Sequence, residues 1–174
     1  MANERSGWVS NQESTPRQRQ IAEFVANLER LDAAGRARLK RNAGRRLNEA
    51  RDVQRVFFQA LPYALAGRAF EEEIYFLVAT LYPLADSRND STNLGQTMRR
   101  VRQTRESESI DRRFQSLLDS NSEQLPFRLR QIVRLAAASE QTIDWAQLLQ
   151  DLLAWEHPER YIQLRWARNY FVGE

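Results

Sequence analysis

The chain has 174 residues, 42% hydrophobic and 10% aromatic, which is typical of a globular protein with a buried core and excludes a disordered chain. Its formal net charge is +3, and 25 of its 26 basic residues are arginines, Lys40 being the one lysine. The absence of cysteine excludes disulfides and fits a reducing cytoplasm, and no apolar run approaches the roughly 20 residues of a membrane span. We therefore expect a cytoplasmic protein with no membrane partner.

Helical periodicity dominates the first half of the chain. Ser14-Thr15-Pro16 has the pattern of a helix cap with a first-turn proline, and it precedes one apolar stripe: Ile21, Phe24, Val25, Leu28 and Leu31. A more basic stretch, GRARLKRNAGRRLNEARDVQRVFF, comes next, and Gly44 predicts a helix end within it. After Leu61-Pro62 breaks the chain, FEEEIYFLVATLYPLA predicts a helix apolar enough to lie in the centre of the core.

The second half repeats this pattern after a polar loop, DSRNDSTN, at 86–93. The first predicted helix is LGQTMRRVRQ, and the second is capped by Ser107 or Ser109. The third is LPFRLRQIVRLAAA. The fourth, WAQLLQDLLAW, is capped by Asp144, and the last, ERYIQLRWARNYF, begins at His157-Pro158. No alternating strand pattern of useful length occurs. We predict an all-α protein of about eight helices in two small bundles packed together, an N-terminal bundle at 1–88 and a C-terminal one at 89–174.

Convergent reactive groups are lacking. The single histidine, His157, precedes a proline and is expected to face solvent or cap a helix, and Gly35 and Gly44 do not match a phosphate-binding loop. Glu71–Glu73 point in different directions on a helix and suit a solvated helix start, although with Asp86 they leave open a metal-dependent nuclease. We predict a binding protein that is not an enzyme, with no catalytic residue, metal site, cofactor or small-molecule substrate.

Basic side chains concentrate between residues 30 and 55, where the sequence has nine basic residues and only three acidic ones. Arg38, Arg41 and Arg45 share one helical face if the helix persists that far. An arginine-rich proteome would explain the arginine-to-lysine ratio, but it would not explain these positions.

A second concentration lies in TMRRVRQTRESESIDRRF, residues 97–114, which holds six arginines in eighteen positions. Arg99, Arg102 and Arg105 lie three apart and predict a ridge, Arg112-Arg113 follow it, and farther on Arg130 and Arg134 lie one turn apart with Arg128 nearby. Such ridges suit a nucleic-acid backbone, because guanidinium groups bind phosphate without reading sequence. The alternative is internal pairing with acids, for which Glu106, Glu108 and Asp111 are at hand.

Aromatic residues crowd the last thirty positions: Trp145, Trp155, Tyr161, Trp166, Tyr170 and Phe171. Trp145 and Trp155 sit among leucines at helical spacing, which favours core packing. Stacking on exposed bases or contact with another subunit are the alternatives.

Several of these motifs resemble one known family. IDRRFQSLLDS and LPFRLRQIVRLAAASEQTIDWAQLLQDLLAWEHPERYIQLRWARNYF resemble the C-terminal half of CasB, the small subunit of the type I-E CRISPR surveillance complex, Cascade. NLGQTMRRV is similar to the family's Leu-Gly-centred helix, and RARLKRNAG followed by VFFQALPYAL resembles its basic and aromatic-rich N-terminal helices. The resemblance spans about residues 20 to 172.

The resemblance implies two helical bundles without catalytic activity. It implies as partners the other Cascade subunits, a second copy of the chain, target DNA (above all its displaced strand) and guide RNA, with basic surfaces holding the open R-loop. A structural spacer that docks only on proteins is the alternative.

The resemblance carries the nucleic-acid role to Lys40, Arg41, Arg112, Arg113 and Arg130, with Arg134 close by and Arg68 a looser match, and it expects a basic residue where Gln96 stands. The charge pattern adds other arginines. Together the candidate contacts are Arg38, Lys40, Arg41, Arg45, Arg68, Arg99, Arg100, Arg102, Arg112, Arg113, Arg128, Arg130 and Arg134.

Overall fold

Helices make up the regular structure of the protein. The computed structural model describes residues 14–105 and 107–173. Its nine α-helices are α1 (Pro16–Glu29), α2 (Ala33–Arg41), α3 (Gln54–Ala60), α4 (Ala69–Leu81), α5 (Leu94–Thr104), α6 (Glu108–Leu118), α7 (Leu125–Ala138), α8 (Trp145–Leu152) and α9 (Tyr161–Phe171). Short 3-10 turns occupy Leu47–Glu49, Tyr63–Leu65 and Tyr82–Leu84. The all-α prediction is confirmed, with nine helices in the described residues where about eight were expected. None of these helices is long and apolar enough to cross a membrane.

The first helix begins as its sequence predicts. The Thr15 hydroxyl accepts a hydrogen bond from the Gln18 amide at 3.2 Å, and the Gln18 side chain accepts one from the Thr15 amide at 2.8 Å. This reciprocal capping box satisfies two amides that the helix itself leaves free. One side of α1 then buries Ile21, Phe24 and Leu28 in the core.

The basic stretch after α1 is not one continuous helix. The Asn42 side chain donates to the Arg38 carbonyl at 2.9 Å and to Asp52 at 3.1 Å, and Gly44 then turns the chain with φ of +79°. Arg45 was expected to share one helical face with Arg38 and Arg41 only if the helix reached it, and α2 ends at Arg41, so it does not. Gly44 does mark the end of the helical stretch, as predicted.

The last helix starts later than the sequence suggests. Pro158 lies in a turn in which the Arg160 amide donates to the His157 carbonyl at 2.9 Å, and α9 begins only at Tyr161. The prediction that His157-Pro158 begins this helix is therefore wrong. Arg160 has φ of +49°, and its guanidinium donates to the Leu118 carbonyl, so a tertiary contact holds the turn.

The buried side chains of both halves form one hydrophobic core, in which α8 packs against α1 and α4 and α5 crosses α9. Trp145 and Trp155 are buried, so their predicted core role is confirmed. Trp166 and Tyr170 are buried as well, whereas Tyr161 and Phe171 are 43% and 42% exposed. The boundary between two bundles at residue 88 stays a prediction.

The polar loop at 86–93 is tied to the start of α8. Asp144 caps α8 by accepting from the Gln147 amide at 2.9 Å, as its sequence position predicts. Its second oxygen accepts from the amides of Asp90 and Ser91 at 3.0 and 2.8 Å. Beside it, Ser87 and Ile143 form an isolated parallel bridge. The loop is thus anchored by the same carboxylate that caps α8.

The LGQT motif at the start of α5 has a packing role. A β-carbon at Gly95 would lie 2.3 Å from the Trp166 carbonyl oxygen, so the backbones of α5 and α9 meet closely at this glycine. Gln96, where the resemblance expects a basic residue, completes a capping box by accepting from the Asn93 amide at 2.9 Å. Helix geometry accounts for both residues.

Candidate nucleic-acid interface

The exposed surface of α2 carries basic side chains on both flanks. Gly35 and Leu39 face the core, and at about 100° per residue Arg38 and Lys40 fall on opposite flanks with Arg41 pointing outward. All three side chains are exposed, and none of them hydrogen-bonds or forms an ion pair with another described residue. These cations are therefore available to an external anion.

Arg38 also lines an open groove between α2 and α3. Arg30 at the end of α1 and Arg55 on α3 line the same groove, which has a volume of about 440 Å³. Its lining includes one carboxylate, Asp32, which is engaged as the cap of α2 by accepting from the Gly35 amide at 2.7 Å. Three guanidinium groups from three helices thus converge on one groove. Arg30 and Arg55 were not among the predicted contacts, because their convergence with Arg38 depends on how the helices pack.

The turn after α2 rests on α7 from the other half of the chain. A β-carbon at Gly44 would lie 3.3 Å from both Arg130 Cδ and the Pro126 carbonyl oxygen. Exposed Arg45 directly follows Gly44 in the chain, and exposed Arg134 lies one turn beyond Arg130 on α7. We name the joined set the basic surface: Arg30, Arg38, Lys40, Arg41, Arg45, Arg55, Arg130 and Arg134.

The three arginines of the ridge predicted along α5 all contact other parts of the protein. Arg105 lies just beyond the end of the helix, and its guanidinium donates to the Ala138 carbonyl at 2.6 Å. The Arg102 guanidinium forms an ion pair with Asp111 at 3.1 Å. Arg100 is half-buried, and its side chain has no hydrogen bond within the described chain. Residues 97–114 are therefore partly committed to holding the fold.

Asp111 contacts both Arg102 and Tyr170 near the C-terminal end of α5. Tyr170 donates its hydroxyl to Asp111 at 2.6 Å, and the Arg102 guanidinium lies 5.5 Å from the Tyr170 ring centroid. Burial, followed by the hydrogen bond to Asp111, raises the pKa of Tyr170. Arg99 approaches the Tyr170 carbonyl at 3.5 Å. A buried tyrosine and a carboxylate thus occupy this end of α5.

The remaining candidates lie apart from the basic surface. The side chains of Arg112 and Arg113 on α6 are exposed and make no hydrogen bond or ion pair with described residues. Arg113 lies on the flank opposite Asp111. Arg128 is half-buried on the flank of α7 away from Arg130, and Arg68 lies 4.0 Å from Glu71. Glu106, considered above as a partner of these arginines, lies outside the described residues.

The acidic run at the start of α4 does not converge. Glu71 faces Arg68, Glu72 accepts from the Gly67 amide at 2.6 Å, and Glu73 accepts from the Leu47 amide at 3.3 Å. In the described residues, no group of three or more histidine, aspartate or glutamate side chains is placed to hold a metal ion. The hypothesis of a metal-dependent nuclease therefore gains no support from the geometry.

Together these features define an all-α protein with an arginine-rich surface assembled from both halves of the chain. The chain matches the family model for CRISPR-associated protein Cse2 over residues 35–171. It belongs to this Cse2 family, to which the CasB proteins also belong, so the resemblance in the sequence is confirmed.

Individual relatives agree with this assignment. The chain is 43% identical over 114 residues to the CRISPR-associated protein Cse2 of Thermus thermophilus, a match that spans 63% of this chain and 64% of the relative. The crystal structure of CasB from Thermus thermophilus has 33% identity and a TM-score of 0.73, covering 91% of this chain and 99% of CasB. A CRISPR RNA-guided surveillance complex contains a chain of the same fold, with 22% identity, a TM-score of 0.73 and coverage of 88% and 92%.

Proposed function

We propose that this chain is a non-catalytic small subunit of a type I-E CRISPR RNA-guided surveillance complex, Cascade, that acts in the cytoplasm. It binds nucleic acid by the phosphate backbone, without reading its sequence, and so stabilises the R-loop that opens when guide RNA pairs with target DNA. Its partners are the other Cascade subunits, a second copy of itself, guide RNA and target DNA, above all the displaced strand. The family assignment and the solved surveillance complex that shares its fold support this role.

One observation carries the nucleic-acid part of the proposal. The contact between Gly44 and Arg130 joins the cations of α2 to those of α7, although they are far apart in the sequence. A polyanion can then meet several guanidinium groups at once, and each neutralised phosphate releases condensed counterions.

Weak backbone contacts are enough to stabilise an R-loop. An RNA–DNA hybrid is about as stable as the DNA duplex it replaces, so R-loop formation is a nearly balanced exchange. Backbone contacts by a small subunit can shift that balance without any catalytic group. Sequence-independent binding suits the task, because the displaced strand differs with every target.

A spacer that docks only on protein neighbours remains the second candidate. The outer face of α9 favours it, because Tyr161, Leu164, Phe171 and Val172 are all exposed there. At about 100° per residue these four side chains lie on one side of the helix and its end, opposite buried Trp166. Exposed Arg168 lies on the same side, and surfaces that combine aromatic and arginine side chains are typical of protein interfaces.

Binding of the isolated chain to a labelled single strand, measured across a salt series, separates the two functions. We expect clear binding at low salt, little dependence on base sequence and a steep loss of affinity as salt rises. The same strand incubated with Mg²⁺ is expected to stay intact. Absence of binding even at low salt would favour the spacer and contradict the proposal.

A further inference from the structure

The outward side of α7 carries an exposed phenylalanine among arginines. Phe127 is 58% exposed, and helix geometry places it directly opposite the buried stripe that contains Leu129 and Ile132. Arg134 lies seven residues, or about two turns, farther along the same line of the helix. Packing does not require an aromatic ring at this position.

The surroundings of this ring are positively charged. Arg128 has its guanidinium carbon 6.0 Å from the Phe127 ring centroid, and Arg130 and Arg134 follow on α7, which contains no acidic residue. The Arg130 Nε is buried and has no hydrogen-bond partner in the described chain. Phe171 also lies about 6.0 Å from an arginine, but that residue, Arg102, is paired with Asp111. The Phe127 ring thus stands among cations that have no carboxylate on their own helix.

We propose that Phe127 is a stacking platform for one unpaired base of a single strand whose phosphates bind Arg130 and Arg134. This inference rests on the proposed function, and it adds a preference for single strands. Every base presents a π-face that can stack on an aromatic ring, so the contact is independent of sequence. In a duplex the bases are already stacked inside and cannot reach Phe127, whereas the displaced strand of an R-loop offers them freely.

An abasic strand tests the stacking separately from the phosphate contacts. The affinities of a normal strand and an abasic strand of equal length are measured for the native chain and for Phe127→Ala. We expect Phe127→Ala to weaken binding of the normal strand about tenfold and to leave binding of the abasic strand unchanged. Phe127→Trp is expected to retain the preference for the normal strand.

Tyr161→Ala supplies the matched control, because Tyr161 is an exposed aromatic on α9 that packs against His157 rather than an arginine. It is expected to bind both strands like the native chain. Because both side chains are exposed, we expect both variants to fold, and circular dichroism checks this.

Three other outcomes would each contradict the stacking proposal. If Phe127→Ala and the native chain bind the normal strand equally, the stacking site is overturned while the proposed function stands. If Phe127→Ala instead loses co-purification with the other Cascade subunits at unchanged strand affinity, the ring is a protein contact and the inference fails. If the native chain binds neither strand at low salt, the proposed function fails with it.

Discussion

Several arginines of this protein hold helix ends together. The guanidinium of Arg36 donates to the Glu29 carbonyl at 2.8 Å, at the last residue of α1. In the same way Arg105 donates to Ala138 at the end of α7, and Arg160 donates to Leu118 at the end of α6. The last carbonyls of a helix lack intrahelical partners and carry partial negative charge, which a nearby cation satisfies. Part of the arginine excess therefore stabilises the fold.

Because some arginines contact the fold and others do not, we predict different effects on stability for Arg102 and Arg112. Arg102→Ala removes the ion pair with Asp111 and the contact with the Tyr170 ring, so we expect it to lower the free energy of unfolding by about 1 kcal/mol. Arg112→Ala removes an exposed side chain without a partner in the described chain and should change that free energy by less than about 0.5 kcal/mol. Urea unfolding of both variants measures the difference. Equal stabilities would show that the Arg102 contacts contribute nothing to the fold.

At the scale of elements, local capping and apolar spacing predict most helices. Thr15 and Asp144 mark helix starts that the structure confirms. The helix end near Gly44 was predictable from the glycine, but its exact position at Arg41 was not, because Asn42 donates a hydrogen bond to Asp52, ten residues away. The late start of α9 has a similar cause, since Arg160 reaches the Leu118 carbonyl of another helix. Local sequence patterns therefore fail to predict a helix boundary where a tertiary contact determines it.

The crossing of α5 and α9 gives a prediction for Gly95. Gly95→Ala would place a β-carbon 2.3 Å from the Trp166 carbonyl oxygen, and both sides of that contact are backbone. The helices must separate to accommodate it, so we expect a loss of roughly 1–3 kcal/mol in the free energy of unfolding. Thermal unfolding detects this loss, with Gln103→Ala on the exposed side of α5 as the control. A melting temperature equal to that of the control would show that the two helices can separate at little cost.

For the whole molecule, the sequence indicates which stretches are basic but not how they meet. The charge of residues 30–55 and the arginines of α7 are visible from composition and spacing alone. That Gly44 packs on Arg130, or that Arg30, Arg38 and Arg55 line one groove, follows only from how the helices pack. Conversely, three of the six arginines at 97–114 (Arg99, Arg102 and Arg105) contact a carboxylate or a carbonyl of another helix, which local charge counts cannot reveal.

Charge reversal in each half of the basic surface tests the central claim, that both halves bind one polyanion. The variants are Arg41→Glu with Arg45→Glu on one side and Arg134→Glu on the other, with Arg168→Glu on α9 as an exposed control. The measurement is the slope of the logarithm of single-strand affinity against the logarithm of salt concentration. Each lost phosphate contact should reduce the magnitude of this slope by about 0.7.

We therefore predict a reduction of about 1.4 for the paired substitution, about 0.7 for Arg134→Glu, and none for Arg168→Glu. Combining the substitutions of both halves should add their effects. Slopes and affinities that match the native chain in all variants would contradict a nucleic-acid surface shared by the two halves.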